Sequence, residues 1–342
     1  MGTAERPLQM DEVVIRAEPD PLTGLDAYDA RELLELGNGQ YAEQAYDRAV
    51  KVYTKLLEEF PDSKYAALAA YNQGLAFEKL AEWASAAAAF EQVIDEHPES
   101  PSHKDAYFRA AFSYSKLERW SQVADTFYAV RQRGELEVME ELEARVGQAV
   151  GMFMQEEYAT AEVEFMRALK FHEEQENREY LPADYFIGQS RFYLGEIYAR
   201  WFEEKDLSEP EVDEAHWIEA MADELEAKCE LLLRAQSNFI RTIRVGHTGW
   251  ATAAGYRIGS LYETLHSQML DVPVPESLDE SAKMVYREEL RKRVRVLVKK
   301  AIRVYEMSKE MAERVGEKNE WVERTNASLQ RMKDLYEESL DT

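Results

Sequence analysis

Six histidines, one cysteine and one acidic string ending in histidine are the residues of this 342-residue chain with the most specific chemistry to offer. Asp213, Glu214, Ala215 and His216 spell the DEAH string of helicase motors. That chemistry also needs a strand running into a glycine-rich loop that ends in Lys and Ser or Thr, and the sequence has neither. Gly246 to Gly249 is glycine-rich but lacks a lysine, and it reads as the turn between two helices. The histidines, His97, His103, His172, His216, His247 and His266, form no HExxH and no pair four residues apart. His97 and His103 flank a turn beside Glu96 and Asp105, an opportunistic metal position at most, and they read as solvated loop residues. Cys229 lies at helical spacing among Ala227, Leu231 and Leu232, the pattern of a small core or boundary residue, and a single cysteine excludes an internal disulfide. No Ser, His, Asp or Cys, His set is fixed by spacing. The expectation is a protein that is not an enzyme and uses no metal or cofactor, with a helical accessory part of an enzyme as the other class.

What positions these residues is almost entirely helix. Hydrophobic residues make up 45% of the chain, enough for a large core, while Gly and Pro number only 15 and 10, which leaves little room for strands and tight turns. A formal charge of −26 repels phosphate backbones and anionic lipid, so nucleic acid is excluded as an expected partner. No stretch approaches the ~20 apolar residues of a membrane span, and Met1 to Asp20 has no apolar signal core.

Residues 1–26, with Pro7, Pro19, Pro21 and Gly24, lack a helical period and read as an extended or disordered arm. The stretch from Ala67 to Ser100 then reads as two helices and a stop. Ala70, Gly74 and Phe77 share one face of the first, Trp83, Ala86, Phe90 and Val93 share one face of the second, and Pro98 ends it. Tyr46, Ala49, Tyr53, Leu56 and Pro61 precede the second set at a constant offset of 37 residues. The same step forward reaches Ala111, Tyr114, Trp120, Val123, Phe127 and Val130, and a unit one residue longer carries Ala149, Met152, Tyr158, Ala161, Phe165 and Ala168. These residues are packing residues: the small ones let helices approach and the rings fill the space between.

Four regular units thus occupy 27–174, and 175–342 holds two atypical ones. Phe192, Gly195 and Tyr198 open a fifth unit whose second helix, with Ala235, Phe239 and Thr242, comes after an insertion from about Trp201 to Lys228. Gly259 and Tyr262 open a sixth, whose second helix, with Ala301, Tyr305 and Ser308, follows an insert containing Pro273 and Pro275. Both inserts interrupt the same place in the unit, so they fall on one edge. Residues 203–226 are densely acidic, whereas Arg287, Arg291, Lys292, Arg293, Arg295, Lys299, Lys300 and Arg303 form the one basic concentration. These charges either attract each other, pair different molecules, or form a solvated helix face with Leu290, Val294, Leu297 and Ala301 turned inward. A last helix, Trp321 to Leu340, would cap the open end.

A helix pair with mid-helix Gly, Ala and Phe four apart on the second helix and a closing Pro resembles the tetratricopeptide repeat, whose period is about 34 residues. The resemblance implies an all-α, right-handed superhelical solenoid of about six helix pairs that acts as a protein-protein interaction scaffold. In such proteins the first helices line a concave groove. Aligned units place Tyr71, Phe108, Val146, Phe192 and Tyr256 at one groove-facing position, with Lys79, Arg109, Phe112, Lys116, Arg200 and Arg257 close by. This column departs from the Lys and Asn clamp that holds a peptide's terminal carboxylate, and an extended or helical apolar peptide fits it better. The links FPDSKYAALAAY and HPESPSHKDAYF, covering the regular units, resemble bacterial cell-envelope tetratricopeptide proteins: the lipoprotein of the β-barrel assembly machine and the periplasmic coordinator of the Tol system. The later inserts look similar to the large repeat proteins of myxobacterial gliding motility. These resemblances imply a periplasmic scaffold near the outer membrane; a cytoplasmic adaptor in a signalling or secretion system shares every repeat feature.

Overall fold

The computed structural model describes residues 24–178, 181–207, 216–274 and 278–338. Most of the expected N-terminal arm, Asp213 to Ala215, Pro275 and Leu340 lie outside the described residues. The chain forms two compact units, Met1–Leu117 and Glu118–Thr342, so the division falls inside the run of regular repeats. Unit 1 holds α1 (Ala30–Ala42), α2 (Tyr46–Glu59), α3 (Ala66–Lys79), α4 (Trp83–Glu96) and α5 (His103–Lys116). Unit 2 holds α6 (Trp120–Arg133), α7 (Val138–Met154), α8 (Tyr158–Glu176), α9 (Asp184–Glu204), α10 (Trp217–Val245), α11 (Thr248–Leu270), α12 (Glu280–Val315) and α13 (Glu320–Glu338). Among the described residues there is no strand.

Local chemistry sets these boundaries. The Asp29 carboxylate accepts the N–H groups of Arg31 and Glu32 at 2.9 Å, and Glu32 accepts the Asp29 N–H in return, a reciprocal cap on α1. Within the regular repeats, the turn between first and second helix contains a residue in the left-handed region: Gln44, Ala81, Glu118 and Glu156, each two positions before the next helix. None is glycine, so the tight turn is held at a conformational cost by the packing on either side.

Each unit is built in two layers. In unit 1, α1 packs on α3 while α2 and α4 alternate with them behind; in unit 2, α7, α9, α11 and α13 adjoin in one layer and α8, α10 and α12 form the other. The glycines explain how the layers come so close. A methyl group added at Gly74 would stand 2.6 Å from Cε1 of Phe90, and one at Gly195 would stand 2.5 Å from Cε1 of Phe239. The rings lie flat on a bare backbone, and both are fully buried. Tyrosines tie neighbouring helices: Tyr114 donates to Glu91, Tyr198 to Glu162 and Tyr305 to Glu263.

The inserts appear mostly as added helix. At 29 and 36 residues, α10 and α12 are at least twice the length of α2 and α4, which have 14 each. Their join is apolar: Leu207, Trp217 and Met221 from the first insert pack with Val272 from the second, backed by Leu225 and Met269. The acidic and basic concentrations are dealt with locally, through pairs such as Lys205 with Glu224, Lys292 with Glu288 and Arg293 with Glu289. Lys228, fully buried, donates from Nζ to the carbonyls of Phe202, at 2.8 Å, and of Lys205, so an ammonium satisfies the open carbonyls at the end of α9. Burial pushes its pKa down. Cys229 beside it is half-buried, and burial raises its thiol. His103, read as a solvated loop residue, is instead a buried member of α5 whose Nε2 bonds the carbonyl of Ile94 at 3.0 Å. The Gly246 turn does join two helices, with φ of 96° at Gly246 and the Trp250 N–H donating to His247 Nδ1.

Candidate partner-binding surface

In unit 1 the candidate surface is the layer of α1, α3 and α5. Asn38 Oδ1 accepts from the Tyr53 hydroxyl at 2.8 Å and from Asn72 Nδ2 at 2.9 Å, which fixes α1 against α2 and α3. Tyr71 is half-buried, its ring edge-on to Phe90 at 5.6 Å, and burial raises its phenol. Arg109 Nη1 donates to Glu78 at 3.1 Å across from α5 to α3; burial raises the Glu78 carboxyl despite that partner. Phe108 is half-buried. Phe112 is 43% exposed, edge-on to Trp83 at 5.8 Å, and Lys116 Nζ lies 5.1 Å from its centroid. Lys79 is exposed on the same layer. The result is an open ring with a lysine ammonium against it, a surface suited to gripping an apolar side chain with a carboxylate nearby.

Unit 2 presents a different surface on α7, α9, α11 and α13. Tyr185, 47% exposed, stands 5.3 Å from the His247 ring and 5.7 Å from Trp250. Trp250 rests on Gly188, where an added methyl would be 3.0 Å from its Cδ1. Trp321 of α13 lies 5.7 Å from Tyr256, which is half-buried and 6.0 Å from Tyr305. Glu143 on α7 is half-buried, and burial, then the neighbouring Glu140, raise its carboxyl. Three of the expected groove residues are placed otherwise. Phe192 is only 5% exposed, closed over by Trp250 at 5.3 Å and Trp321 at 6.1 Å, so it belongs to the core. Val146 is fully buried. Arg257 binds Glu196 at 2.5 Å, Glu203 at 3.0 Å and Ser260 at 3.1 Å, and it joins α9 to α11 instead of standing free. Arg200 is exposed on α9.

The sequence column thus gathers Tyr71, Lys79, Phe108, Arg109, Phe112 and Lys116 into one layer of unit 1. It missed Tyr185, Trp250, Trp321 and Glu143 because it followed one position per helix. Tyr185 lies two turns before Phe192 on the same helix, and that spacing was the available signal.

Residues 33–63 and 68–100 match the family model described as tetratricopeptide repeat. No curated protein matches the chain. Among solved structures, a tetratricopeptide repeat protein from Parabacteroides merdae is similar at 11% identity, covering 89% of this chain and 98% of its own with a TM-score of 0.40. A TPR repeats protein from Bacteroides fragilis is similar at 14% identity, covering 90% and 98% with a TM-score of 0.33.

Proposed function

We propose that the protein is a non-catalytic scaffold that holds a peptide segment of a protein partner on the first-helix layer. The observation that supports this reading is Phe112: a ring 43% exposed between Trp83 and Lys116, on the face where Tyr71 and Arg109 also lie. A large exposed ring braced by a second ring and a cation is already ordered, so little conformational entropy is lost when a partner covers it. On the resemblance of the inter-repeat links we propose further that the partner belongs to a bacterial cell-envelope complex, in the periplasm and near the outer membrane; the cytoplasmic adaptor is the other reading. Among the described residues no helix is long and apolar enough to cross a membrane.

The test has two steps. A photo-crosslinking residue at Phe112 in the native host identifies the protein in contact and its compartment. Calorimetry with that purified partner then compares the parent with Phe112→Ala and Lys116→Ala. Loss of the ring should weaken binding by about 2 kcal/mol, roughly thirtyfold, with the melting temperature unchanged. Unchanged affinity in both variants would refute the groove reading, and a cytoplasmic crosslink would refute the envelope reading alone.

A further inference from the structure

The first 14 residues of the 36-residue α12 differ from the other helices among the described residues. From Glu280 to Arg293 it buries no side chain fully, whereas Val294, Val298, Ala301, Tyr305, Ser308 and Ala312 are buried beyond it. Met284 and Val285 stand 69% and 65% exposed on this overhang. Between Met284 and Arg303 eight Lys and Arg residues face only two Glu, in a chain of net charge −26. The overhang borders a cleft of about 350 Å³ where the ends of α11 and α13 meet α12. The cleft has an apolar wall of Leu270, Val298 and Leu335 and a cationic rim of Arg291, Lys292 and Arg295. Two acids, Glu288 and Glu338, and His266 also line it, and Glu288 pairs with Lys292 at 2.8 Å.

An apolar wall beside clustered cations selects for a ligand that carries both apolar side chains and carboxylates. A phosphate backbone has nothing to place against Leu270 and Leu335, and the surrounding −26 field disfavours a long polyanion over a short acidic segment. The overhang offers an exposed stripe of Met284, Glu288 and Arg291 at helical spacing, leading to the half-buried Arg295 at the cleft, the shape on which a second amphipathic helix lies. We propose that the cleft at the α11, α12 and α13 ends docks an acidic amphipathic segment of a protein partner. An apolar side chain enters against Leu270 and Leu335, and carboxylates pair with Arg291 and displace Glu288 from Lys292. This proposal rests on the α12 overhang and does not depend on the Phe112 reading.

The test is fluorescence anisotropy on the full chain with a labelled helical peptide of Glu and Leu, Leu at i, i+3, i+4 and i+7. Saturable binding that weakens as salt rises is expected. The Arg291→Glu, Lys292→Glu double variant should bind about tenfold or more weakly, while Arg167→Glu on α8 leaves binding unchanged. Leu270→Ser, at a residue 40% exposed, should also weaken binding without changing the melting temperature. The proposal is overturned if the peptide does not bind or if neither the double variant nor Leu270→Ser affects it. It is equally overturned if phosphatidylglycerol vesicles or a DNA duplex bind more tightly through the same residues, or if the double variant abolishes self-association of the chain.

Discussion

Adding one methyl group to two glycines in unit 1 should have opposite consequences. At Gly74, in the middle of α3, a Cβ would stand 2.6, 2.7 and 2.9 Å from Cε1, Cζ and Cδ1 of Phe90. The ring has nowhere to move, being fully buried and held edge-on by Tyr71 at 5.6 Å. Overpacking of this kind costs about 1–3 kcal/mol, in the upper part of that range where the ring cannot relax, and the helix preference for Ala over Gly returns about 0.8–1 kcal/mol, so Gly74→Ala should destabilise by roughly 1–2 kcal/mol. At Gly39, in α1, nothing lies within 4 Å of the added methyl, so Gly39→Ala should stabilise by up to ~1 kcal/mol. Hydrogen exchange resolves the two because it reads each helix separately. Amides of α3 and α4 should exchange about 5–30 times faster in Gly74→Ala, at roughly tenfold per 1.4 kcal/mol, and those of α1 more slowly in Gly39→Ala. Gly74→Ala with Phe90→Leu should recover part of the loss, since the smaller side chain vacates the space the methyl needs. If both glycine variants shift protection in the same direction, or if the double variant is no better than the sum of the single ones, close approach is not the reason for the glycine.

Two further outcomes follow from backbone strain and from charge burial. Ala81 holds φ at +57° in the turn between α3 and α4, so Ala81→Gly should raise the urea midpoint, by about 0.5–1 kcal/mol of stability. Glu143 has its carboxyl raised by burial, so the folded state keeps the proton over a range where the unfolded chain has released it. Its contribution is therefore favourable below the ordinary carboxylate range and is lost as pH rises through the raised value. Glu143→Gln should accordingly stabilise at pH 7 and change little at pH 4, as read by paired melting curves, and an equal effect at both would refute the assignment.

The repeat was legible because its contacts are made within one helix pair. Gly37 to Tyr53 and Gly74 to Phe90 are each 16 residues apart, and the same glycine-on-ring contact recurs between Gly195 and Phe239 and between Gly259 and Tyr305 across the inserts. The contact survives the insertion, so the residue types marked the units even where the spacing failed. The joining of the two inserts was not legible: Leu207, Trp217, Met221 and Val272 are scattered apolar residues that share no spacing, and their meeting is a contact between successive repeats that no period encodes. Phe192 and Arg257 were misplaced for a related reason. Whether a ring on the first-helix layer faces solvent depends on the neighbouring helix, and Trp250 and Trp321 cover this one. Whether an arginine is available depends on acids elsewhere, and Glu196 and Glu203 hold this one.

The same two details separate the chemistry of the units. Unit 1 keeps Lys116 exposed beside Phe112 and Lys79 exposed on the same layer, so on the proposed reading its layer favours an apolar residue with an acid nearby. In unit 2 the candidate cation Arg257 is neutralised by two carboxylates, one of them held above the usual range mainly by burial, while Tyr185 stays open near Glu143. Rings beside an acid favour an apolar or cationic residue instead. A single uniform peptide cannot satisfy both layers equally. On the scaffold reading, each layer therefore selects a partner segment of its own charge, acidic for unit 1 and cationic or neutral for unit 2.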